Sequence, residues 1–324
     1  MDHKRRTSTY IKDQTIERHL NSFNCTISSL EQTIPVHHEK CTPIFIVGPP
    51  RCGTTLLSQL LASAGFSYIS NIVARFWAAP WIGAVIHNSI YQGRVPRSTQ
   101  FESDYGVTPG AAEPHEFGYF WDRWFDFGQE THNLTISQRK KVKKHELASS
   151  VASLCAQFDQ PLVFKNTTWC SIQSDLLYEI LPNSIFIFIT RNIMFAAQSV
   201  LIGRRRRYGS DKIWWSNRPS TYRRLIKLEP HEQVVRQIID FSNETSNALV
   251  SIPGNNVIFT NYEDICRSPK SIIKRICDAT KFDAVYDNIP DHILPRNIRV
   301  VSKSDWDKLN GALQNYENNI SFLR

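Results

Sequence analysis

The sequence has no run of apolar residues long enough to span a bilayer, so no transmembrane segment is expected. Its start, Met1–Arg6, is charged, but no hydrophobic stretch follows it. Neither a signal peptide nor an anchor is therefore expected, and the cytoplasm is the expected location. The seven cysteines, Cys25, Cys41, Cys52, Cys155, Cys170, Cys266 and Cys277, form no Cys-x-x-Cys pair and are odd in number. That argues against a disulfide framework and against a zinc site, and for reduced thiols. Internal repeats and long low-complexity stretches are also missing. Asn133, Asn166 and Asn243 each open an Asn-x-Thr sequon, which without a secretory signal reads as a chance match.

What is there suits a globular protein: 324 residues, 41% apolar and 21% charged, enough to bury a sizeable core. The net charge of +8 favours an anionic partner, whether nucleotide, polyanionic sugar, nucleic acid or membrane surface. Charge alone does not choose among these.

Residues 1–42 are polar, with a weak helical pattern over Ile11–Leu30, and read as a peripheral arm. From there to residue 324 a single domain is expected. Short apolar runs at Pro43–Gly48, Leu162–Lys165, Ser184–Thr190 and Val257–Asn261 read as buried strands. Helical spacing marks Thr54–Ala64, Lys140–Phe158, Ser174–Leu181, Ile193–Gly203, Glu232–Ile252, Pro269–Thr280 and Lys303–Leu323. Strands alternating with helices imply an α/β fold, a parallel sheet covered on both faces. Residues 66–128 are dense in aromatics broken by proline and glycine. Core packing is the commoner fate of such rings.

Gly48-Pro49-Pro50-Arg51-Cys52-Gly53-Thr54-Thr55 has the glycine spacing of a phosphate-binding loop between a strand and a helix. Glycines there let backbone N–H groups converge on phosphate oxygens, and the helix N-terminus adds partial positive charge. The usual loop lysine is absent, because Thr54 holds its place, and Arg51 supplies a cation from within the loop. A nucleoside triphosphatase also needs an apolar strand ending in Asp to hold Mg²⁺. Here Ile185–Thr190 ends in Arg191, which repels a metal and binds an anion through its planar fork. The pattern points to a nucleotide with several anionic groups and no metal.

At these residues the sequence resembles the PAPS-dependent sulfotransferase family. The Pro50-Arg51-Cys52-Gly53-Thr54-Thr55 loop is similar to the family's Pro-Arg-Ser-Gly-Thr-Thr, with Cys52 replacing the serine. Arg191 after an apolar strand and Ser199 eight residues later match its second signature. Tyr262-Glu263-Asp264, with Ser268-Pro269 following, matches a third. The resemblance covers about Pro43–Phe282 and implies a P-loop-like three-layer sandwich that binds PAPS as sulfuryl donor and PAP as product. It implies donor contacts from Pro50, Arg51, Cys52, Gly53, Thr54 and Thr55 at the 5'-phosphate and from Arg191 and Ser199 at the 3'-phosphate. Tyr262 and Arg296 are added as nucleotide contacts, the latter from a C-terminal segment that also holds Arg299 and Lys303.

Sulfuryl transfer needs stabilisation of charge on the transferred group and a base for the acceptor proton. Arg51 is the candidate for the first. The family often places a Glu or His shortly after the first helix, but residues 66–80 contain neither. The base candidates are therefore Glu116, then Glu113, then His115, lodged among aromatics that would perturb their pKa values. Lys165 reads either as a donor or acceptor contact or as a solvated strand end, and Arg75 as an acceptor contact or a surface charge. The run Arg204–Arg207 just past the Ser199 helix reads equally as an anion site or a solvated face. The expected acceptor is a small molecule, lipid or carbohydrate, and no nucleic acid is expected. Competing readings are a P-loop kinase or NTPase, which would turn over MgATP, a nucleic-acid-binding protein, and a PAPS-binding protein without turnover.

Overall fold

The computed structural model describes residues 6–33, 42–91, 101 and 103–321. Five strands, β1 (Pro43–Val47), β2 (Ser67–Tyr68), β3 (Leu162–Lys165), β4 (Ile185–Thr190) and β5 (Val257–Asn261), form one parallel sheet in the order β2-β3-β1-β4-β5. β1 and β3 are buried at every position and β4 at all but its last, which is why they read as continuous apolar runs. β2, at two residues, is too short to leave a periodic signal and was not among the expected strands.

Alternation along β1 divides the core into two halves. Phe45 and Val47 face one cluster, with the helices Pro80–Tyr91, Gly118–Phe125, Lys144–Cys155 and Ser174–Ile180. Ile44 and Ile46 face the other, with Thr54–Ser63, Ile193–Tyr208, Tyr262–Arg267, Pro269–Thr280 and Lys303–Ser321. The three-layer sandwich follows from that period of two. On the first face Phe164, Phe45 and Phe186 are register partners whose rings lie side by side, 5.3 and 5.2 Å between centroids, with Trp121 edge-on. Most of the aromatic-rich stretch is spent here: Phe117, Phe120, Trp121 and Phe125 are buried.

Two helices differ from the sequence pattern for local reasons. The segment expected as Lys140–Phe158 is split at an extended Val142, so that a short capped turn, Ile136–Lys141, precedes Lys144–Cys155. The helix expected to end at Gly203 continues to Tyr208. Gly203 is not a stop; a Cβ there would lie 2.2 Å from the Trp215 ring, so the glycine admits that ring. The actual stop is Gly209, in the left-handed conformation with φ 66°.

Within the N-terminal residues the helix Gln14–Ile27 is capped by Asp13, whose carboxylate accepts from the N–H groups of Thr15 and Ile16. It is fastened by buried Asn24, which donates to the Arg75 carbonyl at 2.8 Å and accepts from the Ala78 N–H at 2.9 Å. The boundary expected at residue 42 adjoins residues 34–41, which lie outside the described residues, as does Cys41. The other six cysteines are free thiols. Among the described residues no helix is long and apolar enough to cross a membrane.

The Phe ladder sets a stability expectation. Phe45→Ala should cost about 3–5 kcal/mol in urea unfolding, because a fully buried central ring leaves a cavity between two strands. A cost under about 1 kcal/mol would show that the ladder does not hold the sheet.

Candidate active site

Parallel strands deliver their C-terminal ends to one edge, and four of them end on residues with chemistry. β1 runs into the Gly48–Gly53 loop, β3 ends on Lys165, β4 is followed at once by Arg191, and β5 by Tyr262. The helix after β1 packs on one face and the helix after β3 on the other, which opens a crevice at this edge.

The loop is shaped by close approaches. Gly48 lies so near β4 that a Cβ would meet the Ile189 carbonyl oxygen at 2.3 Å, and a Cβ on Gly53 would meet the Tyr262 ring at 2.5 Å. Gly53, with φ 89°, is the N-cap of Thr54–Ser63 and brings no capping side chain. The first-turn N–H groups are thus left open to an anion. Cys52 is fully buried, and burial pushes its thiol up to about 12. Its side chain points into the core, so its part in any anion contact falls to its backbone, and buried Pro50 offers no N–H at all.

Arg51 adopts φ 68°, a left-handed conformation uncommon outside glycine. Its Nε donates to Ser199 Oγ at 2.9 Å, and its carbonyl accepts from Arg191 Nη1 at 3.0 Å. Arg51, Arg191 and Ser199, far apart in sequence, therefore form one cluster. Burial lowers the Arg51 pKa and Arg191 adds to this, while Tyr105 and Glu116 oppose it. Arg191 also donates from Nε to Asn297 Oδ1 at 2.9 Å and from Nη2 to the Arg296 carbonyl at 2.7 Å, and it stacks over Tyr262 at 4.3 Å. The Tyr262 hydroxyl in turn accepts from the Arg296 N–H at 3.0 Å.

Arg296 is joined to this cluster through its main chain, while its exposed side chain has no hydrogen bond or ion pair among the described residues. The side chain that meets Arg191 is Asn297, which is itself held by Glu263 at 2.6 Å. No periodicity or motif in the sequence marks that asparagine.

Lys165 is the centre of the opposite half. Its side chain is 1% exposed, and Nζ lies 3.0 Å from Glu116 Oε1, 3.2 Å from Thr55 Oγ1 and 3.5 Å from the Gly106 carbonyl. The Glu116 side chain is 49% exposed, so the pair is sealed on the lysine side and open on the carboxylate side. Crowding by the protein pushes the Glu116 carboxyl up, but the charge and hydrogen bond of Lys165, helped by His115 and Arg51, outweigh it. The net effect holds it below the ordinary range. Gly106 forms the ceiling: with φ 89°, it comes so close that a Cβ would sit 2.9 Å from Glu116 Oε1. It belongs to a tight turn closed by reciprocal Asp104–Val107 hydrogen bonds of 2.9 and 3.0 Å. Tyr105 of that turn, φ 48°, lies over the Arg51 guanidinium at 4.7 Å.

The other two base candidates are placed elsewhere. Glu113 reaches Gln59, a helical turn beyond Thr55, at 3.4 Å, and burial raises its pKa. His115 is pulled down to about 4 by burial, and its Nδ1 accepts from the Phe117 N–H at 2.8 Å. The neutral ring then carries its proton on Nε2 and has no free lone pair to act as a base. Arg75 contributes its carbonyl to Asn24, described above, and its side chain is exposed. Asn166 of the second sequon is buried and donates to the Glu116 carbonyl at 3.0 Å.

The arginine run closes the Ile193–Tyr208 helix, and its four side chains differ in burial, with Arg204 buried and Arg206 exposed. Arg204 is fully buried, bonded to Gln233 and Gln237 at 2.7 and 3.1 Å. Arg205 pairs with Asp211 and Asp305 at 2.9 and 2.8 Å. Arg206 and Arg207 turn toward Tyr105, Trp215 and the N-terminal residues.

The sequence matches the sulfotransferase family over residues 43–285. No curated protein matches it. Among solved structures it is similar to sulfotransferase STF9 from Mycobacterium avium, with 12% identity over 91% of this chain and 72% of that one and a TM-score of 0.48. Sulfotransferase STF1 from Mycobacterium tuberculosis H37Rv gives 12% identity, 90% and 75% coverage and a TM-score of 0.49. A sulfotransferase from Alicyclobacillus acidocaldarius gives 14%, 85%, 96% and 0.37. The family match runs through the loop, Lys165, Arg191 and Tyr262 alike, and the chain therefore belongs to the sulfotransferase family of sulfuryl-transferring enzymes.

Proposed function

We propose that this enzyme moves the sulfuryl group of PAPS onto a hydroxyl or amine of a small-molecule, lipid or carbohydrate acceptor, by in-line displacement and without a metal. The observation that carries the reading is Lys165, whose single ammonium joins the anion-binding loop at Thr55 to the solvent-facing carboxylate of Glu116. When bound, PAPS supplies a sulfuryl group already attached to a phosphate leaving group.

The residues present fit a donor with two separated anionic ends. Thr54, Thr55 and the uncapped N–H groups after Gly53 suit the 5'-phosphate, with Arg51 close by. Arg191 and Ser199 suit the 3'-phosphate. Three of the five guanidinium N–H groups of Arg191 are committed to Asn297 and the two backbone carbonyls, which fixes the fork and leaves two for a ligand. Because Arg51 donates to Ser199, the two ends are held in one register. With Arg51, Lys165 and Arg191 supplying positive charge, the transferred and leaving oxygens can be stabilised by fixed cations rather than by a metal.

Glu116 takes the acceptor proton. It is ionised at neutral pH, faces the open side of the crevice and is paired with Lys165, which balances its charge until the acceptor proton lands on the carboxylate. Glu113 and His115 serve the local structure.

Glu116→Gln should lower kcat by about two to four orders of magnitude while leaving PAP binding unchanged. Near-normal turnover would remove it as the base. The pH dependence carries a separate expectation. The carboxylate is the active form, so activity is present above the Glu116 pKa and is lost as pH falls through it. Lys165→Met removes the largest influence that opposes crowding, so the acid limb of the kcat profile should move to higher pH. An acid limb that stays in place would break the assigned coupling between Lys165 and Glu116.

A further inference from the structure

Arg207 has no counterion among the described residues. Its guanidinium is sandwiched between the Tyr10 and Trp215 rings, 4.8 and 5.0 Å from their centroids, and its buried Nε has no hydrogen-bond partner. Arg6 stands beside it, also with a buried, unpartnered Nε, and only its Nη1 donates, to the Tyr10 carbonyl at 3.4 Å. Burial lowers the Arg207 pKa, and repulsion from Arg6 lowers it further. Two cations pressed together without a carboxylate between them are unfavourable in an otherwise well-paired protein.

The ordinary explanation for basic residues here is the negative end of a helix. The carbonyls that would provide it are already engaged. The Arg205 carbonyl accepts from the Gly209 N–H at 2.8 Å, Arg206 from Thr7 Oγ1 at 2.7 Å, and Arg207 from the Thr7 N–H at 2.8 Å. The carboxylate that faces this group, Asp104, is taken by Tyr10 at 2.8 Å and approached by Arg206 at 3.6 Å. Arg205, two residues before Arg207, shows the contrast, with two aspartates of its own.

The position matters as much as the missing partner. Glu116 is near enough for its charge to favour protonated Arg207. The rings that line the way, Trp215 and Tyr105, meet edge to face at 5.6 Å, and Tyr105 lies on Arg51. Arg207 is thus linked through Trp215 and Tyr105 to the turn whose Gly106 lies against Glu116.

We propose that Arg207, with Arg6 beside it, binds an oxyanion carried by the acceptor, a carboxylate, phosphate or sulfate group, and so turns the reacting group toward Glu116. This rests on the reading of Glu116 as the acceptor-side base. The oxyanion would meet the Arg207 Nη groups, which have no hydrogen-bond or ion-pair partner among the described residues, and the Tyr10 and Trp215 rings hold the fork in place before the acceptor arrives.

Benzoate and its neutral isostere benzamide separate this from apolar stacking. Each is titrated by ligand-observed NMR into the full-length protein saturated with PAP, at fixed ionic strength. Benzoate should bind about tenfold more tightly, the worth of one charge-assisted hydrogen bond, and Arg207→Gln should erase that preference with PAP affinity unchanged. If Arg207→Gln melts early, Arg6→Gln carries the same expectation. Equal binding of the two probes by wild type, or a preference that survives in a folded variant, overturns the proposal. Failure of wild type to bind PAP would instead count against the donor site, and the probe comparison would still be read on the protein without PAP.

Discussion

A lysine ammonium with 1% exposure can stand at the end of β3 only because a carboxylate meets it. The cost of removing an ammonium from water is several kcal/mol in a real protein, and it is offset when the partner and the remaining hydrogen bonds are in place. Here Glu116, Thr55 and the Gly106 carbonyl supply them. Each of these belongs to a different segment, so one buried charge fixes the Thr54–Ser63 helix, the carboxylate and the turn above it together. Gly106 suits the last of these, since its φ of 89° strains any other residue and a Cβ there would press on the carboxylate.

The other half of the site is organised by Arg191 in a comparable way. Its guanidinium ties the Arg51 carbonyl of the loop to Arg296 and Asn297 of the C-terminal segment, on a Tyr262 platform. The two halves meet at Arg51, which bonds to Ser199 on one side and lies under Tyr105 on the other. Tyr105 holds a left-handed backbone that a bulky residue seldom adopts, and such local strain is commonly concentrated at functional sites.

The loop and the Arg191 cluster are legible in the sequence because their residues are contiguous with strong local signals. The loop follows an apolar strand and opens a helix, and Arg191 directly ends the run Ile185–Thr190. What the sequence left open are contacts made between segments. Lys165 looked as much like a strand end as a site residue until burial put it under Glu116. Asn297 lies in an extended stretch without periodicity, and β2 is too short to have any. The arginine run misled because Gly203 resembles a helix stop, whereas its role is to admit Trp215, and the four side chains then meet four different environments. His115 carried the right chemistry in the right neighbourhood, but a backbone N–H had already taken its lone pair.

Fixed cations at the strand ends, Arg191 foremost, are proposed to hold a phosphosulfate nucleotide without help from a metal. Calorimetric titration of wild type and Arg191→Met with PAP, PAPS and ATP in EDTA, and with MgATP, decides this. The expected result is micromolar PAP binding in EDTA that Arg191→Met loses. Preference for MgATP, or PAP binding untouched by the loss of Arg191, would contradict it.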